Sequence, residues 1–178
     1  MISVGSLPSE DSATSGDSRS LLVESVNAGH AEELRVLFSD NCGPAVTAAF
    51  DPFELTAEAA RRIALDPRRD EYFVARGAKG LVAMSMLRGF DDGFEIPSFG
   101  IFVDHCHHGE GIGRWLTTWT VEEARRRGYP AVRLSVYASN VGAVRLYRSL
   151  GFGEQQREVI SRAGVQDEKI LMTKSLGG

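Results

Sequence analysis

Three glycines at alternate positions, Gly109, Gly111 and Gly113, lie between an extended apolar run, Phe99-Gly-Ile-Phe-Val103, and a segment with Trp115, Leu116 and Trp119 on one helical side. A strand, a glycine-rich turn and a helix start together make a place for an anion. Glycines let the backbone approach closely, and the first helical turn leaves several N–H groups without intrahelical partners. The helix dipole adds roughly half a positive charge at the same end. A bound pyrophosphate is the chemistry this arrangement predicts; a tight turn with a glycine-rich cap is the plainer alternative. Two common phosphate loops do not match. A P-loop needs Lys and Ser or Thr after its last glycine, whereas Gly113 precedes Arg114 and Trp115. A dinucleotide fingerprint needs G-x-G-x-x-G, and neither Arg114 nor Leu116 is glycine.

A second segment carries equal information. Leu134-Ser-Val-Tyr-Ala-Ser-Asn140 predicts a short strand, with Val132, Leu134 and Val136 alternating to one face, and then a turn. Asn140 is a good helix N-cap, and Ala143, Leu146, Tyr147 and Leu150 follow at i, i+3, i+4, i+7 spacing. Gly151 ends that helix and Phe152 packs behind it.

The segment His108-Gly-Glu-Gly-Ile-Gly113 is similar to the turn that holds the pyrophosphate of coenzyme A, in which Arg or Gln and two further residues precede G-x-G or G-x-A; here His108 replaces the Arg or Gln. The string N-x-x-A-x-x-L-Y-x-x-x-G-F from Asn140 to Phe152 resembles the second signature block of the same family, the GNAT N-acetyltransferases. Both blocks occur in the family's order, and the resemblance covers roughly Leu21 to Lys174.

That resemblance implies an α/β (α+β) fold: a central mixed, mostly antiparallel twisted sheet of about six or seven strands flanked by helices, with a splayed strand pair forming an acyl-CoA cleft. It implies acetyl-CoA as co-substrate. The backbone of Ile101, Phe102 and Val103 would pair with the pantetheine arm, and His108, Gly109, Glu110, Gly111, Ile112, Gly113, Arg114 and Asn140 would complete the cofactor site. Glu110 should turn to solvent, because a carboxylate beside pyrophosphate repels it. The implied reaction is direct transfer of acetyl to a primary amine of a small molecule. The run from Met86 to Ile101 is similar to acetyltransferases of amino sugars and nucleotide-linked amino sugars. A nucleotide carrier would ask for an anion site near Arg88. Peptide or protein N-termini and lysines are alternative acceptors, and a non-catalytic acyl-CoA sensor is the alternative of another class. A homodimer is compatible with the resemblance.

Direct transfer needs a neutral amine, donors for the oxyanion and a proton for the departing thiolate. Tyr147 is the candidate acid, its plainer role being a core tyrosine on the stripe of Ala143 and Leu150. Glu95, on the strand approaching the cleft, is the candidate base, with Asp91 and Asp92 in the preceding turn; solvated surface acids are the plainer reading of all three. Some relatives carry a Glu at the position of Ser135. The run His105-Cys-His-His108 lacks metal-ligand spacing, and no metal is expected.

The rest of the chain must position these groups. Its 178 residues suit one domain. A net charge of −4 argues against nucleic acid as substrate. Arg125-Arg-Arg127 reads as positive charge at a helix C-terminus before Gly128. Two cysteines without a spacing pattern, Cys42 and Cys106, suggest reduced thiols in a cytoplasmic protein. No apolar run predicts a membrane span and no signal peptide opens the chain. Residues 1–20, rich in Ser, Gly and Asp, read as a mobile tail before an acetyltransferase domain at 21–178. Predicted elements are strand 21–26, helix 30–39 broken by Asn41-Cys-Gly-Pro44, helix 56–65 capped by Thr56, strands 72–75 and 81–87, the strand ending at Val103, and a terminal hairpin, 154–161 and 168–173, around Ala163-Gly164.

Overall fold

The computed structural model describes residues 3–6, 20–43, 46, 50, 52–162 and 164–177, with backbone alone at 3–6, 20 and 162. Eight strands form one sheet in the order β1-β2-β3-β4-β5-β6-β8-β7. They are β1 (Ser3–Ser6), β2 (Ser20–Ser25), β3 (Glu71–Gly77), β4 (Gly80–Arg88), β5 (Ser98–Val103), β6 (Ala131–Tyr137), β7 (Gly153–Arg162) and β8 (Val165–Ser175). Every neighbouring pair is antiparallel except β5 and β6. The helices are α1 (Ala31–Asp40), α2 (Ala57–Leu65), α3 (Ile112–Arg126) and α4 (Val141–Ser149).

Period-two alternation splits the strands between two cores. On one face Phe73, Ala75, Ala83 and Leu87 pack with Leu116, Val121 and Ala124 of α3 and with Val144 and Tyr147 of α4. On the other face Tyr72, Val74, Met84, Met86 and Phe102 pack with Leu34, Leu37 and Phe38 of α1 and with Ala60 and Ile63 of α2. Helices therefore cover both faces, which explains the unbroken burial of β4 from Val82 to Leu87. The helix starts follow their predicted caps. Thr56 accepts from the Ala59 amide at 3.1 Å, and Asn140 accepts from the Ala143 amide at 3.1 Å.

Within the stretch read as a tail, Ser3–Ser6 pairs with Ser20–Val23 as β1, the eighth strand of the sheet. The edge of β2 offers unpaired backbone groups, and a short polar strand satisfies them. Other residues of that stretch, and Pro44 and Ala163 of the predicted breaker and hairpin turn, fall outside the described residues. Among the described residues no helix is long and apolar enough to cross a membrane.

The three arginines ending α3 hold acids of its last turns, Arg125 with Glu122, Arg126 with Glu123 and Arg127 with Glu123 at 2.8 Å, and Arg127 also reaches Glu71 of β3 at 2.9 Å. One buried polar contact ties α3 to β4. Thr120 Oγ1 donates to the Leu116 carbonyl at 2.8 Å, so its lone pair must receive the Ser85 hydroxyl at 2.7 Å. Thr120→Val leaves that Ser85 donor without an acceptor. We expect urea unfolding to report a loss of about 1–3 kcal/mol; a loss under about 0.5 kcal/mol, the range of a neutral surface change, would show that this contact does not tie helix to sheet.

Candidate active site

β5 and β6 meet only where their backbones begin. Ser98 registers with Arg133, and the Arg133 amide donates to the Pro97 carbonyl at 3.0 Å. Beyond that point β5 stays with β4 as far as Val103, while β6 is committed to β8 along its whole length. Bulk fills the fork. Tyr147, from α4, meets Phe99 edge-on with ring centroids 6.2 Å apart, and Phe152 at 5.7 Å. The strands diverge from this aromatic plug, and the gap between them belongs to a cleft of about 920 Å³.

At the wide end the chain leaves β5 through a short 3-10 turn, His105–His107, whose cap Asp104 accepts from the Cys106 amide at 3.0 Å. Asn41, buried at the end of α1, locks this turn: its Oδ1 accepts from the His105 amide at 2.9 Å, and its Nδ2 donates to the Leu37 carbonyl at 2.8 Å. Gly109 and Gly111 follow with φ of +82° and +79°, and α3 opens at Ile112. A side chain in the left-handed region costs roughly 1–2 kcal/mol, which explains glycine there. Gly111 also leaves α3 without a side-chain cap, so the first-turn amides bordering the cleft, those of Ile112 and Gly113, receive no acceptor from the cap residue. This is the geometry that suits an anion.

Of the residues expected from sequence, Ile101, Phe102, Val103, His108, Gly109, Gly111, Ile112, Gly113, Asn140 and Tyr147 all border this one cleft. Three expected residues stand outside it. Arg114 reaches along the surface to donate to Ser149 Oγ at 2.9 Å. Glu110 is half-buried rather than directed to solvent, with its carboxylate 3.0 Å from His107 Nδ1. Glu95 is exposed and precedes β5 instead of lying on it. The reason is Pro97, which has no N–H for the ladder and delays the strand to Ser98. Asp92 is the acid of that turn that borders the cleft.

His108 also differs from expectation. Its Nε2–H donates to the Val103 carbonyl at 3.0 Å, which orients the ring by a backbone bond and occupies one of the acceptors foreseen for a strand-like partner. Asn140 uses its side-chain oxygen to cap α4. Tyr147 is 8% exposed, its hydroxyl makes no hydrogen bond among the described residues, and burial pushes its pKa up to about 12.

Asp104, His105 and Cys106 bring candidate ligand atoms within 4.8 Å of one another. Capping accounts for that proximity. The carboxylate serves the Cys106 amide, and His105 Nδ1 lies 2.9 Å from Asn41 Oδ1, so the three residues build the turn. Sequence reading missed Asn41 as more than a helix breaker, because its partners lie 63 and 64 residues away.

Residues 33–152 match the family described as Acetyltransferase (GNAT) family. The chain is 42% identical over 60 residues to the ribosomal protein bS18-alanine N-acetyltransferase of Escherichia coli (strain K12), covering 34% of this chain and 40% of that protein. It thus spans about two fifths of the length of that curated relative. The fold superposes on a GNAT-family acetyltransferase from Streptococcus pneumoniae with a TM-score of 0.75 at 19% identity, covering 88% of this chain and 99% of that one. It superposes also on yncA from Salmonella typhimurium, solved with its cofactor acetyl-CoA, with a TM-score of 0.72 at 17% identity over 88% and 94% of the two chains.

Replacing His108 by Arg brings a permanent charge with several donors to the glycine turn. In calorimetric titration with coenzyme A, His108→Arg should lower Kd by roughly 3- to 10-fold. An unchanged Kd would remove this side chain from anion recognition.

Proposed function

The chain belongs to the GNAT family of acetyltransferases, and on that premise we propose that it transfers the acetyl group of acetyl-CoA directly to a primary amine of a small molecule. One observation carries the reading: a single cleft joins uncapped first-turn amides at its wide end to a buried phenol at its fork, along a strand edge left without a ladder. The residues suit the co-substrate. Ile112 and Gly113 offer amides to a pyrophosphate, and the β5 edge from Ile101 to Val103, unpaired with β6 and bound by His108 at the Val103 carbonyl alone, runs beside the cleft. An N–H of that edge is the donor for the oxyanion as the amine nitrogen bonds to the thioester carbon and the carbon–sulfur bond breaks. Losing one such donor slows acyl transfer by roughly 10²–10³-fold.

Tyr147 governs the sulfur. Full proton transfer from a phenol at about 12 to a thiolate whose conjugate acid is near about 8.5 is uphill. Its hydroxyl therefore acts by hydrogen bonding to sulfur as charge develops there. The proton that the thiol finally keeps balances the one the amine gives up. For that amine proton Asp92, which borders the cleft as Glu95 does not, is the candidate acceptor.

Within the class of small amines, an amino sugar comes from the sequence resemblance. A nucleotide carrier has less support, because Arg88 already holds Asp70 at 3.3 Å and donates to the Pro52 carbonyl at 2.9 Å. A peptide α-amine is the second reading, and the 42% identity to the bS18-alanine enzyme favours it. An acyl-CoA sensor would not use a phenol at the sulfur. An acceptor panel with acetyl-CoA, read as free thiol, tests the proposal. Thiol appearing with small amines supports it, peptide-only turnover supports the second reading, and no turnover with any amine ends both.

Tyr147→Phe should leave coenzyme A affinity unchanged and lower turnover by about 10²-fold; unaltered turnover would exclude the phenol from the reaction. The pH dependence has a definite sign. Tyr147 is neutral when folded up to about 12, against a reference near 10 when unfolded, so its contribution to stability is full below pH 10 and is lost as pH rises through about 12. The pH–rate profile should accordingly show no alkaline loss from this group below pH of about 10, and an alkaline limb in that range that disappears in Tyr147→Phe would contradict the assignment.

A further inference from the structure

We propose that the end of the cleft beyond the fork is an acceptor subsite for an amine carried on an apolar, ring-bearing body, with Phe94 as its platform and Asp92 as the acid that draws the ammonium group; the inference rests on the acetyl-transfer reading above. Phe94 is 45% exposed, yet it borders the cleft and is held from several sides. Its amide donates to the Gly89 carbonyl at 3.0 Å. Its ring lies so close to Gly89, at φ +101°, that a Cβ there would come within 2.7 Å of the ring edge. The Arg133 guanidinium sits 4.1 Å from the ring centroid, itself fixed by a 3.3 Å bond from Nε to Ser98 Oγ.

The turn that carries Phe94 is pinned as well. Asp70 accepts from the Gly89 amide at 2.9 Å and from Arg88 Nε at 3.3 Å. Phe90 is buried and stacks on Tyr129 with centroids 5.2 Å apart. An aromatic ring fixed this firmly while still wet is a surface prepared for an apolar partner.

Charge and polarity complete the case. Of the polar side chains that border the cleft, Arg88 is already bound to Asp70 and Ser98 to Arg133. Asp92 makes no hydrogen bond or ion pair among the described residues, so it is the uncompensated charge facing an incoming ammonium. Val46, Phe50, Pro52 and Met86 are apolar residues of the same lining. The hydroxyls of a sugar would lie against these without partners, which disfavours binding, whereas an aromatic or alicyclic body would not.

Thiol release with 2-phenylethylamine, n-butylamine and glucosamine decides the matter. The protein should prefer 2-phenylethylamine to glucosamine by about tenfold or more in kcat/KM. Phe94→Ala should raise KM for 2-phenylethylamine roughly tenfold and for n-butylamine by less. Asp92→Asn should raise both by roughly threefold, and KM for acetyl-CoA, measured alongside, reports that the cleft is intact in either variant. Preference for glucosamine, or equal effects of Phe94→Ala on the two other amines, overturns this inference and leaves acetyl transfer standing. No thiol from any of the three overturns this inference, and the wider acceptor panel then decides acetyl transfer itself.

Discussion

Two strands that begin as neighbours and cannot remain so create the site. β5 is bound along its length to β4, and β6 to β8, so each has spent one edge before the two can pair with each other. The contact at Ser98 and Arg133 fixes their starting points, and the rings of Phe99, Tyr147 and Phe152 occupy the space where a ladder would continue. The unpaired β5 edge would be a defect in a closed sheet. Here it is what a ligand with its own amide groups can complete. The same aromatic packing buries the Tyr147 ring, so one set of contacts opens the gap and raises the pKa of the group at its apex.

The wide end depends on a separate device. A glycine turn alone would be free to take several conformations. It is held because Asn41 ties the end of α1 to the residues leaving β5, and because the His108 ring returns to the Val103 carbonyl. The helix on one face of the sheet thereby fixes a loop that feeds the helix on the other, α3. The cores on the two faces are separate, but the cleft needs both of them.

Much of this was legible in the residues, for reasons that differ by element. The strand, glycine turn and helix from Phe99 to Trp119 declare themselves through local rules of φ, capping and periodicity, and so do Asn140, Tyr147 and Gly151 in the second block. What escaped depends on partners distant in sequence. Nothing near Asn41 announces His105, and nothing near Phe94 announces Arg133. Glu95 was placed a few residues too deep because apolar pattern alone does not register that Pro97 postpones the ladder. His108 looked like a phosphate ligand by position, and its bond to Val103 is a three-dimensional fact that no spacing rule contains.

The sheet's outermost strands bear on how the protein behaves in a crowded solution. β7 shows nearly all its side chains to solvent, but Glu154, Arg157 and Glu168 string opposite charges across it and β8, a surface that discourages a stray strand from adding on. At the far side the apolar Leu21-Leu-Val23 of β2 carries no such charge pattern, and Ser3–Ser6 lies over its rim instead. Without Ser3–Ser6 that rim would be bare and open to a strand from another chain, so this short pairing covers an edge that has no charges of its own to guard it.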